Sequence, residues 1–207
     1  MGRHVIVALS ALGLFAGTAT AQIGNPAGMG VDTRMAKPGI PAPNQTNNQD
    51  RLFAQLATAG GLAEVELGRV AGQKASADPV KQFADRMVQD HSDANGKLKN
   101  LADAAKIPLP TELDADHQVV RDHLDKLNGE AFDRAYIAAQ IVDHQKTAQL
   151  LAWEISLGED AEMQRLAGSM LPIVLDHLRQ AQEINAALSG AGIRFLPDAV
   201  AASEHRP

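Results

Sequence analysis

Apolar residues recur at steps of three and four from Asp50 onward, which is the period of amphipathic helices. The pattern predicts four long helices and one short helix, separated by turns that contain proline or glycine. The boundaries that we expect are 50–77, 78–106, 111–127, 130–158 and 160–190. Asp50, Thr111 and Asp160 are the expected N-caps, and Asp78 is expected to cap a helix with Pro79 at its first position.

The lengths of the connections indicate how these helices are arranged. The first two long helices are joined by a tight turn, and so are the last two, which makes each pair antiparallel. The connection between the pairs, about residues 107–129, is long enough to cross the bundle and contains the short helix. We therefore predict an all-α, ferritin-like four-helix bundle over residues 50–190 with one long crossover. A simple up-down-up-down bundle is the alternative.

The first 21 residues have the features of a secretory signal peptide. Arg3 and His4 precede the apolar run 5–16, and Ala19-Thr20-Ala21 is an A-x-A cleavage motif. We expect cleavage after Ala21 and a periplasmic or outer-membrane-associated protein without a transmembrane segment. Residues 22–49 are rich in proline, glycine and asparagine and predict a disordered spacer, and residues 191–207 predict a flexible tail.

Charge and composition narrow the function classes. The formal net charge is -6 and no cluster of lysine and arginine stands out, so a nucleic-acid partner is not expected. The chain contains no cysteine, which excludes disulfides, iron–sulfur clusters and thiol catalysis.

One ionisable residue interrupts the inward apolar stripe of each long helix. These residues are Glu64, His91, His144 and His177. Their distances from the connecting turns predict that all four meet near mid-bundle, where they could bind one divalent transition metal ion, Zn, Cu, Fe or Mn. Five further residues are expected to support them through hydrogen bonds: Asp90, Asp143 and Asp176, each directly before a histidine, and Asp133 and Tyr136.

Two other interpretations remain open. The same residues could form a closed hydrogen-bond network that sets the helix register, in a structural or interaction module with a partner in the cell envelope. A redox or hydrolytic metalloenzyme is the third interpretation, although no catalytic residue stands out. His117 and His123, six residues apart on the short helix, are expected on a solvated surface.

Several motifs carry a resemblance to a known family. They are Glu64-Val65-Glu66-Leu67-Gly68, Phe83 to Ser92 with its Met-Val-Gln-Asp-His element, Phe132 to Tyr136, Asp143-His144, and Asp176-His177 after Leu171-Pro172. Over residues 50–188 the chain resembles the bacterial exported, ferritin-like "domain of unknown function 4142" family, also labelled predicted outer-membrane protein. The resemblance implies a ferritin-like fold and an envelope location, but no known activity. Val88 and Val174 stand where a di-iron Glu-x-x-His motif needs glutamate, so a di-iron centre is not expected.

Overall fold

The computed structural model describes residues 46–190, which form five α-helices and no β-strand. The helices are α1 (Asn48–Lys74), α2 (Asp78–Ala104), α3 (Ala115–Asp125), α4 (Gly129–Leu157) and α5 (Ala161–Leu188). The predicted all-α class is confirmed. No helix in this part of the chain is long and apolar enough to cross a membrane. The expected signal peptide, nearly all of the spacer and the tail lie outside the described residues.

Two buried aspartates show the direction of the helices. Asp133, near the start of α4, accepts hydrogen bonds from the backbone N–H groups of Ser76 and Ala77 in the α1–α2 turn, at 3.0 and 2.9 Å. Asp50, near the start of α1, accepts from the N–H groups of Glu159 and Asp160 in the α4–α5 turn. Therefore α1 runs antiparallel to α4, and the segment that carries α3 crosses the length of the bundle. This up-down-down-up order is the ferritin-like arrangement and rules out simple up-down-up-down connectivity.

The helix starts differ from the expected ones by a few residues. The N-cap of α1 is Asn47, and Asp50 completes a capping box from position N3, so α1 already includes residues 48 and 49 of the expected spacer. Ala77 rather than Asp78 is the N-cap of α2, and Asp114 rather than Thr111 caps α3. The cap of α5 by Asp160 is confirmed, since its carboxylate accepts from two backbone N–H groups.

The apolar core consists of two clusters, one toward each end of the bundle. One cluster contains Phe83, Met87, Phe132 and Tyr136, and the other contains Phe53, Leu98, Leu151 and Met163 among their buried residues. Buried polar side chains of α1, α2, α4 and α5 lie between the clusters. Leu56, Val119 and Ile155 are exposed, although they follow the apolar spacing of their helices. The centre of this bundle is therefore polar, whereas both ends are apolar.

Gly68 allows α1 and α2 to approach each other closely near this polar layer. A Cβ atom at this position would lie 2.9 Å from Val88 Cγ2 and 3.0 Å from the backbone oxygen of Ala84. A side chain at this position would require Val88 and the backbone of α2 near Ala84 to shift. Gly68 lies one helical turn after Glu64, so the close approach brings α1 near the polar layer of α2.

Candidate metal centre

Three histidines from three helices converge in the polar layer. His91 of α2, His144 of α4 and His177 of α5 each offer a ring nitrogen, and these nitrogens all lie within 4.8 Å of one another. Their relative exposures are 6%, 1% and 1%, so the cluster is screened from solvent. The ring of Phe83 lies 6.3 Å from that of His144 and 6.5 Å from that of His177, and provides an apolar wall.

The hydrogen bonds of His144 determine which of its nitrogens has a free electron pair. His144 Nδ1 lies 2.9 Å from the backbone oxygen of Gln140, one helical turn earlier. A carbonyl oxygen only accepts hydrogen bonds, so Nδ1 carries the hydrogen and donates it. In the neutral ring the lone pair is then on Nε2, which lies 3.3 Å from His177 Nδ1.

The hydrogen bonds of His177 show that its hydrogen is on Nε2 and its lone pair on Nδ1, the reverse of His144. Its Nε2 lies 2.8 Å from Asp90 Oδ2, which also accepts from Arg86 Nε at 3.2 Å. A carboxylate paired with a guanidinium is an acceptor, so His177 Nε2 donates and Nδ1 carries the lone pair. The lone pairs of His144 Nε2 and His177 Nδ1 therefore face each other across 3.3 Å.

The third histidine also presents a free nitrogen. His91 Nε2 is buried and has no hydrogen-bond partner. Burial, followed by the neighbouring His144 and His177, lowers the pKa of His91 to about 3. Burial and then His177 lower the pKa of His144 to about 4, and burial lowers the pKa of His177 despite its bond to Asp90. All three rings are therefore neutral at pH 7, the form in which imidazole binds metals.

Glu64, expected to be a fourth ligand, lies behind His144 instead. It is buried, and its Oε1 is 3.6 Å from His144 Nδ1, the nitrogen on the opposite side of the ring from His177. Its Oε2 has no hydrogen-bond partner, and it does not belong to the converging group. Burial and then the Asp143 carboxylate raise the pKa of Glu64 well above its usual value. Tyr136 is buried with an unpartnered hydroxyl, and burial followed by Glu64 raises its pKa.

A histidine that was expected on the surface points toward this region. His117 of α3 is 18% exposed at its side chain, and its Nε2 lies 3.2 Å from Asp143 Oδ1. The hydrogen bond to Asp143 raises the pKa of His117 and outweighs its partial burial. Burial opposes ionisation of Asp143, but hydrogen bonds to His117 and Glu64 hold its pKa below the usual value. The sequence contains a sign that His117 faces the bundle: its spacing from Val120 and Leu124 places all three side chains on one face of α3.

Two of the expected supporting aspartates lie outside the cluster. Asp133 binds the α1–α2 turn, including the Ser76 hydroxyl at 2.5 Å. Asp176 accepts from Arg86 across helices and from Arg179 on its own helix, and hydrogen bonds from Arg179 and then Arg86 lower its pKa to about 2. Neither carboxylate receives a hydrogen from a histidine of the cluster within the described residues.

Comparison with known proteins supports the fold and the family. The crystal structure of a DUF305 fragment from Deinococcus radiodurans is similar, with a TM-score of 0.62 and 14% identity, and the match covers 72% of this chain and 99% of that one. The crystal structure of a putative secreted DUF305 protein from Streptomyces coelicolor is also similar, with a TM-score of 0.60 and 14% identity, and the match covers 68% of this chain and 94% of that one. Likeness at this identity concerns the fold alone. No protein of curated function matches the chain. The model of the family described as "Domain of unknown function (DUF4142)" matches residues 35–184, and the chain therefore belongs to that family.

Proposed function

We propose that this chain binds one divalent transition metal ion at the centre of the bundle, through His91, His144 and His177. The proposal is carried by the 3.3 Å between His144 Nε2 and His177 Nδ1, the nitrogens of each ring that do not donate elsewhere. Two nitrogen ligands of a tetrahedral zinc ion are separated by about 3.3–3.4 Å, given zinc–nitrogen bonds of about 2.0–2.1 Å. The two rings therefore already have the spacing of ligands to one ion.

Without a cation, the contact between His144 Nε2 and His177 Nδ1 is unfavourable in each protonation state of the two rings. If both rings are neutral, two lone pairs face each other, or one ring gives up its hydrogen bond to Gln140 or Asp90. If one ring is protonated, a charge lies in a site where burial lowers the pKa of both rings. A metal ion removes the conflict because it accepts the electron pairs of both nitrogens. His91, whose Nε2 has no partner, is free to turn toward the same ion.

The groups behind the ligands suit a bound cation. Asp90 accepts from His177, and Glu64 lies on the Nδ1 side of His144. Carboxylates and carbonyls behind ligating imidazoles fix the ring orientation and increase the basicity of the ligand nitrogen. In this proposal Glu64 acts from behind His144 and is not a ligand. Ligation by three imidazoles favours Zn²⁺, Cu²⁺ or Fe²⁺ over Mn²⁺, which prefers oxygen, and leaves a fourth position open.

Export is the second part of the proposal. The basic residue Arg3, the apolar run 5–16 and the A-x-A motif that ends at Ala21 are typical of a secretory signal. The bundle would then bind its ion in the periplasm or at the outer membrane.

A structural role of the histidine cluster is the competing candidate. It is favoured by two hydrogen bonds that need no ion. The bond of His177 to Asp90 links α5 to α2, and the bond of His144 to Gln140 stabilises α4. Under this alternative the bundle is an interaction module of the envelope.

Elemental analysis of the mature protein distinguishes the two candidates. We expect one equivalent of Zn²⁺, Cu²⁺ or Fe²⁺ after stripping with chelator and reloading. Co²⁺ should bind with the visible absorption of a four-coordinate ion. His91→Ala should abolish stoichiometric binding, whereas His123→Ala should leave it unchanged, because His123 is exposed and lies outside the cluster. Reloaded protein without stoichiometric metal, together with a His91→Ala variant that only unfolds at lower temperature, would establish the structural role instead.

A further inference from the structure

Helix α3 is held to the bundle by few buried contacts. It has 11 residues and contributes one buried side chain, Leu124. An isolated helix of this length is marginally stable in water, so α3 depends on its contacts with the long helices. Segments with little buried apolar area open locally at a low cost in free energy while the rest of the fold stays intact.

A row of polar side chains leads from α3 to the histidine cluster. His117 contacts Asp143 at 3.2 Å, and Glu64 Oε1 lies 3.6 Å from His144 Nδ1. Between them, the Asp143 carboxylate is close enough to Glu64 to raise its pKa. Glu64 Oε2, in the middle of this row, is buried and has no hydrogen-bond partner. The two apolar clusters lie on either side of this row, so the row is a polar path from α3 to the ligands. Carboxylate oxygens along such a path can replace the water of an incoming cation.

The opposite side of the cluster is less suited to the passage of a cation. There Asp90, 31% exposed at its side chain, lies outside His177. Arg86 bridges α2 and α5 by binding both Asp90 and Asp176, at 3.2 and 2.7 Å. A metal ion that approached on this side would meet the guanidinium before it reached His177.

We propose that α3 is a movable cover over the path by which the metal ion reaches the histidine cluster. This inference rests on the proposed function. Three contacts hold the cover: His117 with Asp143, Arg121 with Glu66 at 2.9 Å, and Lys74 Nζ with the backbone oxygens of Leu124 and Asp125. All are at least partly accessible to water, and breaking them leaves the four long helices packed against each other.

The access route can be tested with variants that loosen or lock α3. The readouts are the rate of Zn²⁺ uptake by the stripped protein and the rate at which diethyl pyrocarbonate modifies His91, His144 and His177 in the metal-free protein, followed by mass spectrometry. His117→Asn should raise both rates roughly tenfold or more, as loss of a hydrogen bond to a charged group implies. Arg121→Ala should raise them by about fivefold at most, because a surface ion pair contributes little. Arg165→Ala is the matched control, since Arg165 pairs with Glu162 of its own helix α5.

A cross-link provides the opposite perturbation. The chain contains no cysteine, so Glu66→Cys with Arg121→Cys creates one unique pair that a short bis-maleimide can join. The link should slow both rates well below those of the wild-type protein. Rates that are unchanged by the link and by His117→Asn, but raised by Arg86→Ala, would overturn the proposal and place access between α2 and α5. Because diethyl pyrocarbonate reports on the metal-free protein, movement of α3 is judged even where no metal binds, and failure of metal binding appears separately as loss of Zn²⁺ uptake.

Discussion

Two buried polar clusters within residues 46–190 differ in whether their polar atoms have hydrogen-bond partners. The histidine cluster lies at mid-bundle, and an acidic cluster of Asp50, Glu154 and Asp160 lies where α1 begins and α4 turns into α5. In the acidic cluster, both aspartate carboxylates accept hydrogen bonds from backbone N–H groups that would otherwise be unpaired at helix starts. In the histidine cluster, free nitrogens face one another. The metal site proposed above therefore rests on unsatisfied and convergent nitrogen atoms, and not on burial alone.

Glu154 is the exception within the acidic cluster. Both of its carboxyl oxygens are buried without an assigned partner, and burial, followed by Asp50, raises its pKa to about 9. It is therefore protonated at neutral pH and can donate to Asp50. The adjacent Gly158 leaves no space for a second side chain, because an added Cβ would lie 2.7 Å from the backbone oxygen of Glu154. This cluster is closed, and we assign it a structural role.

Acid should have the largest effect on the metal-free protein, through the histidine cluster. The unfolded chain binds protons below the ordinary histidine pKa of 6.5, while His91 and His144 stay neutral in the folded state down to about 3 and 4. Stability should therefore fall as the pH drops below 6.5, by about 1.4 kcal/mol per histidine and pH unit. Urea unfolding between pH 7 and 4 measures this. His91→Gln should flatten the dependence, and an unchanged slope would mean that His91 is protonated in the folded state.

A neutral replacement in the acidic cluster should stabilise the protein. Folded Glu154 keeps its proton up to a pKa of about 9, whereas the unfolded chain loses it at about 4.5, so stability declines as the pH rises through this window. Glu154→Gln mimics the protonated form and should raise the free energy of unfolding by up to about 5 kcal/mol at pH 8, and by less than about 1 kcal/mol near pH 5. Metal binding should not change. Glu162→Gln, on the surface of α5, is the control, and an equal gain in both variants would refute the role of burial.

The smallest expected effects separate two aspartates that bind the same arginine. Asp90 contacts His177 and Asp176 does not, although both accept from Arg86. Asp90→Asn should weaken Zn²⁺ binding by about 10–100-fold, the usual effect of removing a carboxylate behind a histidine ligand. Asp176→Asn should leave the affinity within about twofold and change stability by less than about 1 kcal/mol. Competition with a chromophoric chelator measures both, and equal losses in the two variants would argue against a metal ligated by His177.

Much of the fold could be predicted because local chemistry determines it. Pro79, Gly129 and Gly158 mark helix ends, and the spacing of apolar residues defines one buried stripe per long helix. The same periodicity placed His91, His144 and His177 on the inward stripes, where the structure also has them. The length of the crossover was sufficient to favour the ferritin-like order over its alternative.

The partners of the carboxylates could not be predicted, and only the packing of the helices decided them. Asp90, Asp143 and Asp176 all precede a histidine, but one contacts His177, one contacts His117 and one binds arginines. Asp133 joins a turn 56 and 57 residues away in sequence. The physical reason is that periodicity specifies which side of a helix a residue occupies, whereas a hydrogen bond depends on how two helices are rotated and shifted against each other. The sequence thus determined a helical bundle with histidines inside, and the tertiary structure decided that three of them, without Glu64, present their nitrogens to one point.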